Sequence, residues 1–152
     1  MAETPKTLND ARCREIARSC ACYNLRRAAR SITRLYDDFL RPSGLKNTQF
    51  SVLMTTKMLG PLTITKLADL TVTERTTLTR NLTILEKKGY IRIEPGLDRR
   101  ERQVALTEAG LEALVKAIPL WEMVQEHVEN GLGQERLISF VKELREIVAL
   151  TR

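Results

Sequence analysis

At 152 residues with 43% hydrophobic content, the chain is about one domain's worth of ordinary folded protein. Lys and Arg outnumber Asp and Glu by 25 to 19, giving a net charge of +6 and a pI near 9.5, which favours an anionic partner such as nucleic acid or an anionic membrane surface. No stretch reaches the roughly 18 consecutive apolar residues that a membrane span needs, and the opening MAETPKTLNDARCRE holds no apolar signal core. The chain is therefore expected in the cytoplasm, where its three cysteines (Cys13, Cys20 and Cys22) stay reduced.

The charge is unevenly spread: residues 1–44 carry a net +4, residues 45–106 a net +5 and residues 107–152 a net −3. A positive field confined to the first two thirds makes the tail a poor candidate for touching phosphates. In chain order, Ile16, Cys20, Tyr23, Ala28, Ile32, Leu35 and Phe39 recur three or four apart and predict one long amphipathic helix that ends before Pro42 and Gly44. A second helix fits Thr48 to Leu59, with Phe50, Leu53, Met54 and Met58 inward and Gly60-Pro61 as its stop. Thr63 caps a short third helix through Leu70, and Thr73 or Glu74 opens a fourth that closes at Gly89, with Lys87 and Lys88 in its last turn.

The period then changes to two. Tyr90-Ile91-Arg92-Ile93-Glu94 reads as a strand, Pro95-Gly96 as a turn, and Gln103-Val104-Ala105-Leu106 as the returning strand. Thr107 starts a fifth helix with Leu111, Leu114, Val115 and Ile118 along one face, where Pro119 predicts a kink or local break. After Gly131-Leu132-Gly133, a last helix carries Leu137, Phe140, Val141, Leu144, Ile147 and Val148. The fold class is mainly α with a small β-hairpin wing. Residues 1–44 form an N-terminal helical region, residues 45–106 a winged helix-turn-helix lobe, and residues 107–152 a C-terminal helical region.

Two helices joined by a short turn and followed by a hairpin can place a rigid helix in the major groove of DNA. At 100° per residue, Leu78, Leu82 and Leu85 share one face of the fourth helix, and Thr76, Arg80, Thr83 and Lys87 the opposite one, with Thr79 beside them. That outer stripe holds no acid. Arginine reads guanine O6 and N7, threonine meets a thymine methyl, and lysine neutralises phosphate, so Arg75, Thr76, Thr77, Thr79 and Arg80 are the candidate groove residues. The alternative for such a stripe is an ordinary solvated helix face, which the following hairpin disfavours. The hairpin tip carries Asp98, Arg99 and Arg100, with Arg102 close behind; an arginine there suits the narrow minor groove, and Asp98 is expected to pair with a nearby arginine and fix the tip.

Leu67-Ala68-Asp69-Leu70, Arg75-Thr76-Thr77-Leu78-Thr79-Arg80-Asn81-Leu82, Leu85-Glu86-Lys87-Lys88-Gly89-Tyr90-Ile91, the wing Asp98-Arg99-Arg100 and Leu106-Thr107-Glu108-Ala109-Gly110 together resemble the MarR family of bacterial regulators over residues 20 to 125. The family more often has Asp before the Arg-Thr-Thr run, where this chain has Glu74. The resemblance implies a homodimer in which residues 1–44 and 107–152 are the dimerisation regions of one intertwined domain, the first and last two helices interleaving, with the fourth helix in the major groove and Arg100 in the minor groove. It also implies a pseudo-palindromic operator and a repressor released by a small aromatic or anionic ligand, bound among the first, second and fifth helices. Trp121 on the fifth helix reads more readily as core than as lining.

The thiol-sensing OhrR-type branch of the family has a reactive cysteine followed fourteen residues later by a tyrosine. Cys22 and Tyr36 match that spacing, although Arg26 stands where the branch has a second tyrosine. Against this, free cysteines are commonly small buried apolar residues. Zinc is disfavoured, because Cys20 and Cys22 point to different sides of a helix and the one histidine, His127, is distant; no metal or cofactor is expected. An enzyme is disfavoured by the single histidine and by the absence of a Gly-rich phosphate loop or a Gly-x-Ser-x-Gly motif. A winged helix used only for protein contacts would want an apolar or acidic outer stripe, and Thr76, Arg80 and Lys87 speak against it.

Overall fold

The computed structural model describes residues 9–151 and divides the chain into two units, one ending at Leu35 and the other beginning at Tyr36. The first unit holds α1 (Asp10–Ser19) and the opening turns of α2 (Ala21–Leu40). Asn9 caps α1 by accepting from the Arg12 backbone N–H at 2.9 Å. The single helix expected from the periodicity is thus two, separated at Cys20, whose ψ of 107° is extended. Neither glycine nor proline makes this break. The Asn24 side chain donates to the carbonyls of Ala17, Arg18 and Cys20, at 3.0, 3.3 and 2.9 Å, so oxygens released from the helix ladder are satisfied from α2.

In the second unit a 3-10 turn (Arg41–Ser43) leads to α3 (Asn47–Leu59), β1 (Leu62–Thr63), α4 (Ile64–Thr71), α5 (Arg75–Lys87), β2 (Ile91–Pro95), β3 (Arg102–Leu106), α6 (Glu108–Leu132) and α7 (Gln134–Leu150). The strands form an antiparallel sheet in the order β1-β3-β2. The two-residue β1, which sequence periodicity does not reveal, pairs Leu62 with Val104 and Thr63 with Gln103. In the hairpin, Ile91 faces Leu106 and Pro95 faces Arg102.

The core comes from α2 to α6 and both hairpin strands. Leu40, Phe50, Val52, Leu53, Leu67, Leu78, Leu82, Leu85, Ile91, Val104, Ala113, Leu114 and Ala117 are buried together, and Trp121 packs half-buried against them. Leu78, Leu82 and Leu85 are the face expected of the fourth helix, and they anchor α5 to the lobe. Met58, expected inward, is instead 72% exposed. Its neighbours on the helix, Phe50 and Leu53, complete the inward face without it. Pro119 does not break α6, which continues unbroken to Leu132. Proline removes one backbone donor, and here Pro119 and Val115, the residue whose carbonyl loses that donor, both lie on the exposed side of the helix.

The start of α6 is pinned to the root of the hairpin. Thr107 caps the helix by accepting from the Gly110 N–H at 3.0 Å, while its own hydroxyl donates to the Gly89 carbonyl at 2.6 Å. The Thr107 N–H donates to the Tyr90 carbonyl at 3.1 Å. Gly110 is obligatory in this junction, because a Cβ would lie 2.0 Å from the Tyr90 oxygen. Among the described residues no helix is long and apolar enough to cross a membrane.

Candidate nucleic-acid interface

α4 ends in a left-handed residue, Val72, at φ 49° and ψ 46°, a conformation that costs an L-residue roughly 1–2 kcal/mol. The reversal it makes sets α5 against α4 as the second helix of the helix-turn-helix. Thr63 caps α4 by accepting from the Lys66 N–H at 3.1 Å, as its position predicts. α5 starts from Glu74, whose carboxylate makes no capping bond. That leaves the first turn of α5 with free N–H groups at its surface, an arrangement that suits a phosphate oxygen.

Buried Leu78, Leu82 and Leu85 fix the rotation of α5 and leave Arg75, Thr76, Thr77, Thr79, Arg80, Thr83 and Lys87 exposed. The Thr79 hydroxyl donates to the Arg75 carbonyl at 2.8 Å and that of Thr83 to the Thr79 carbonyl at 3.0 Å. With their hydrogens held inside the helix, these threonines present methyl groups and oxygen lone pairs outward. Among the described residues neither Arg75, Arg80 nor Lys87 forms an ion pair. Lys88 is placed differently: its ammonium donates to the Gly44 carbonyl at 2.7 Å and lies 5.9 Å from the Tyr90 ring centroid, a packing role.

The wing tip is closed by three hydrogen bonds. The Gly96 N–H donates to the Glu101 carbonyl and the Glu101 N–H to the Asp98 carbonyl, both at 2.9 Å. The third corrects the sequence expectation: among the described residues Asp98 pairs with no guanidinium but accepts from the Arg100 backbone N–H at 2.9 Å. An aspartate that turns the chain by bonding the amide two residues on leaves Arg99 and Arg100 unneutralised. Arg92, further down the hairpin, is paired with Glu94. Leu97, fully exposed at the tip, was not singled out by the sequence; the Pro-Gly-Leu-Asp run places it at a turn but says nothing of its direction.

The two residues matched for thiol sensing have different surroundings. Cys22 is exposed in the first turn of α2, and Cys20 is half-buried with its sulfur accepting from the Tyr23 N–H at 3.4 Å. Tyr36 donates its hydroxyl hydrogen to Gln125 Oε1 at 2.7 Å, so that hydrogen is committed to α6 rather than to a thiol. Its burial pushes the phenol pKa above the ordinary value. Among the described residues no group of three His, Cys, Asp or Glu is disposed to hold a metal ion.

A second feature of the lobe is a cleft of about 640 Å³ lined by Pro42, Ser43, Tyr90, Ala109, Glu112 and Lys116, among others. It borders the junction at Tyr90 described above. Trp121 is not among its lining residues.

Sequence comparison places this geometry among known proteins. The MarR family profile matches residues 45–101, from just past the 3-10 turn to the wing tip. The transcriptional regulator SarZ of Staphylococcus epidermidis is 31% identical over 128 residues, 84% of this chain and 85% of SarZ. The chain spans a smaller share of two Bacillus regulators: 63% of YwoH from B. subtilis, at 33% identity over 86 residues (57% of this chain), and 56% of a B. cereus regulator, at 36% over 85 residues (56% of this chain). Among solved structures, the Mycobacterium tuberculosis transcriptional regulator MosR in complex with DNA superposes with a TM-score of 0.76 at 42% identity, covering 88% of this chain and 99% of that one. An Escherichia coli MarR variant complexed with operator DNA reaches 0.77 at 21% identity, covering 87% of this chain and 96% of that one, a likeness of fold alone. A helix-turn-helix and wing in the family's order, together with identity above 30% across most of two proteins, carry one conclusion: the chain belongs to the MarR family of winged helix-turn-helix transcriptional regulators.

Proposed function

We propose that this chain is a sequence-specific DNA-binding regulator that acts as a homodimer, with α5 in the major groove and Arg100 of the wing in the minor groove. The observation that carries the reading is the outward stripe of α5, where threonine and arginine stand without a carboxylate on a helix locked by buried leucines. The DNA in the MosR complex supports it by relation. Dimerisation is supported by α7, which leaves Ile138, Phe140, Ile147, Val148 and Leu150 exposed in the single chain. Two-fold symmetry then calls for a pseudo-palindromic operator with half-sites about 10 bp apart.

Arg80→Ala and Arg100→Ala each weaken operator binding, by about tenfold or more where a bidentate base contact is lost, and leave the dimer and its melting unchanged. Gel shifts run beside sedimentation check this, and unchanged affinity in both variants removes the assignment. A repressor released by a small aromatic or anionic ligand is supported by the cleft, where Lys116 supplies a cation beside Glu112 and Tyr90 an aromatic ring. Of the three helices expected to line a ligand site only the fifth, α6, does so here, the rest of the lining coming from the 3-10 turn and Tyr90.

The exposed thiol of Cys22 favours a second reading, peroxide sensing. An organic hydroperoxide would oxidise the thiolate to a sulfenic acid, its O–O bond breaking to release an alcohol. Release of operator by hydroperoxide in wild type but not in Cys22→Ser is the expected result; an equal response, or none in either, ends this reading.

A further inference from the structure

We propose that Leu97 is an apolar reading element of the wing, packing between the sugar walls of the minor groove and favouring A·T over G·C pairs where the tip docks. The inference rests on the DNA-binding reading above and goes beyond it, since the arginines account for charge and not for an aliphatic side chain held in water. Leu97 is fully exposed, on a tip where Arg99 and Arg100 are also exposed and without carboxylate partners among the described residues. An isolated surface leucine is unremarkable. This one sits at the apex of a tip whose exposed Arg99 and Arg100 stand free of ion pairs among the described residues, beside exposed Asp98 and Glu101, so an occupant that offers the guanidinium groups an anion and the leucine an apolar wall fits it.

The tip is also rigid enough to aim a side chain. Its closing bonds run from Gly96 to Glu101 and from Glu101 and Arg100 back to Asp98. Gly96 packs so closely on the opposite strand that a Cβ there would sit 3.1 Å from Glu101 Cβ and 3.4 Å from Gln103 Cγ. A turn fixed in this way holds Leu97 outward before any ligand arrives, so docking costs little further ordering.

The minor groove of duplex DNA meets both requirements. Its rims are phosphate and its walls are the C–H faces of deoxyribose, and apolar side chains are used there alongside arginine. Its floor differs between base pairs by the guanine N2 amino group, which projects into the space a leucine would fill and would lose its water to it. Packing on the walls therefore reads the floor by exclusion.

The test uses the full chain and a duplex operator selected by wild-type protein from random-sequence duplexes. Leu97→Ser should bind it about 5- to 20-fold more weakly, the value of burying much of one leucine. The slope of log K against log salt should stay unchanged, because no phosphate contact is removed. Leu97→Met should restore most of the affinity. Placing G·C at the wing's docking position should weaken wild type, and inosine·C, which lacks the N2 amino group, should recover it, while Leu97→Ser should respond to neither change. Equal affinity of Leu97→Ser and wild type overturns the proposal, as does a loss that is identical on all three duplexes. Wild-type protein that selects no duplex at all defeats the DNA-binding reading itself, and Leu97's role falls with it.

Discussion

Gly110 and Gly131 lie in the same helix, and the structure gives their replacement by alanine opposite signs. Helix propensity alone makes each Gly→Ala change in α6 stabilising, by up to about 1 kcal/mol. At Gly131 nothing among the described residues lies within 4 Å of the added methyl, so propensity should prevail. At Gly110 the methyl would fall 2.0 Å from the Tyr90 carbonyl oxygen and 2.8 Å from Leu106 Cδ1. A comfortable C···O contact is near 3.3 Å, so two backbones must part by about 1 Å. Those backbones are joined by the Thr107 N–H to Tyr90 bond at 3.1 Å and the Thr107 hydroxyl to Gly89 bond at 2.6 Å, which the separation strains. Overpacking at roughly 1–3 kcal/mol and two weakened hydrogen bonds at about 1 kcal/mol each outweigh the propensity gain, for a net loss near 3 kcal/mol. At about 2–4 °C per kcal/mol for a chain of this size, Gly110→Ala should melt roughly 6–12 °C below wild type. Melting followed by circular dichroism at one fixed protein concentration measures it, the concentration being held because association shifts the midpoint. A Gly110→Ala protein that melts at or above wild type refutes the close approach of α6 to the hairpin root.

Other substitutions test separate parts of the lobe. Leu82→Ala, in the buried face that orients α5, should cost about 2–5 kcal/mol in urea unfolding, and a loss under ~1 kcal/mol would mean that α5 is not anchored there. Thr107→Ala removes both the α6 cap and the tether to Gly89, and should destabilise by about 1–2 kcal/mol; an unchanged midpoint would show that neither bond contributes. Tyr36 makes stability depend on alkaline pH. Burial raises its phenol pKa in the folded chain, so the unfolded chain loses its proton first, and the contribution present below about pH 10 is lost as pH rises through the folded value. Tyr36→Phe should flatten that decline in unfolding measurements between about pH 9 and pH 12; parallel declines in the two proteins would assign the effect elsewhere.

The sequence makes legible whatever depends on repeated spacing. The leucines of α5 at positions 78, 82 and 85 lie on one stripe of a helix, and burying that stripe necessarily turns Thr76, Arg80 and Thr83 outward; the candidate surface follows from the core. The hairpin was legible for the same reason, through a period of two that ends at Pro95-Gly96. Single contacts between distant positions left no such trace. The break at Cys20 depends on one asparagine amide reaching back to three carbonyls, and β1 is too short to show a period. Pro119 gave the opposite difficulty, a strong local signal overruled by its surroundings, because a helix packed through Ala113, Leu114, Ala117 and Val124 on one side can lose a hydrogen bond on the other and continue.

At the wing both kinds of information meet. Composition identified an arginine-bearing tip, yet the role of Asp98 turned on geometry: its carboxylate bends the backbone at Arg100 and, among the described residues, neutralises no guanidinium. An aspartate two residues before an arginine can cancel that charge or present it, and only the direction of one hydrogen bond decides which. Here it presents it. Asp98→Ala should therefore weaken DNA binding by loosening the tip, although it removes a negative charge from a surface meant for phosphates. An Asp98→Ala variant that binds more tightly at low salt would show that charge, and not the shape of the turn, governs the wing.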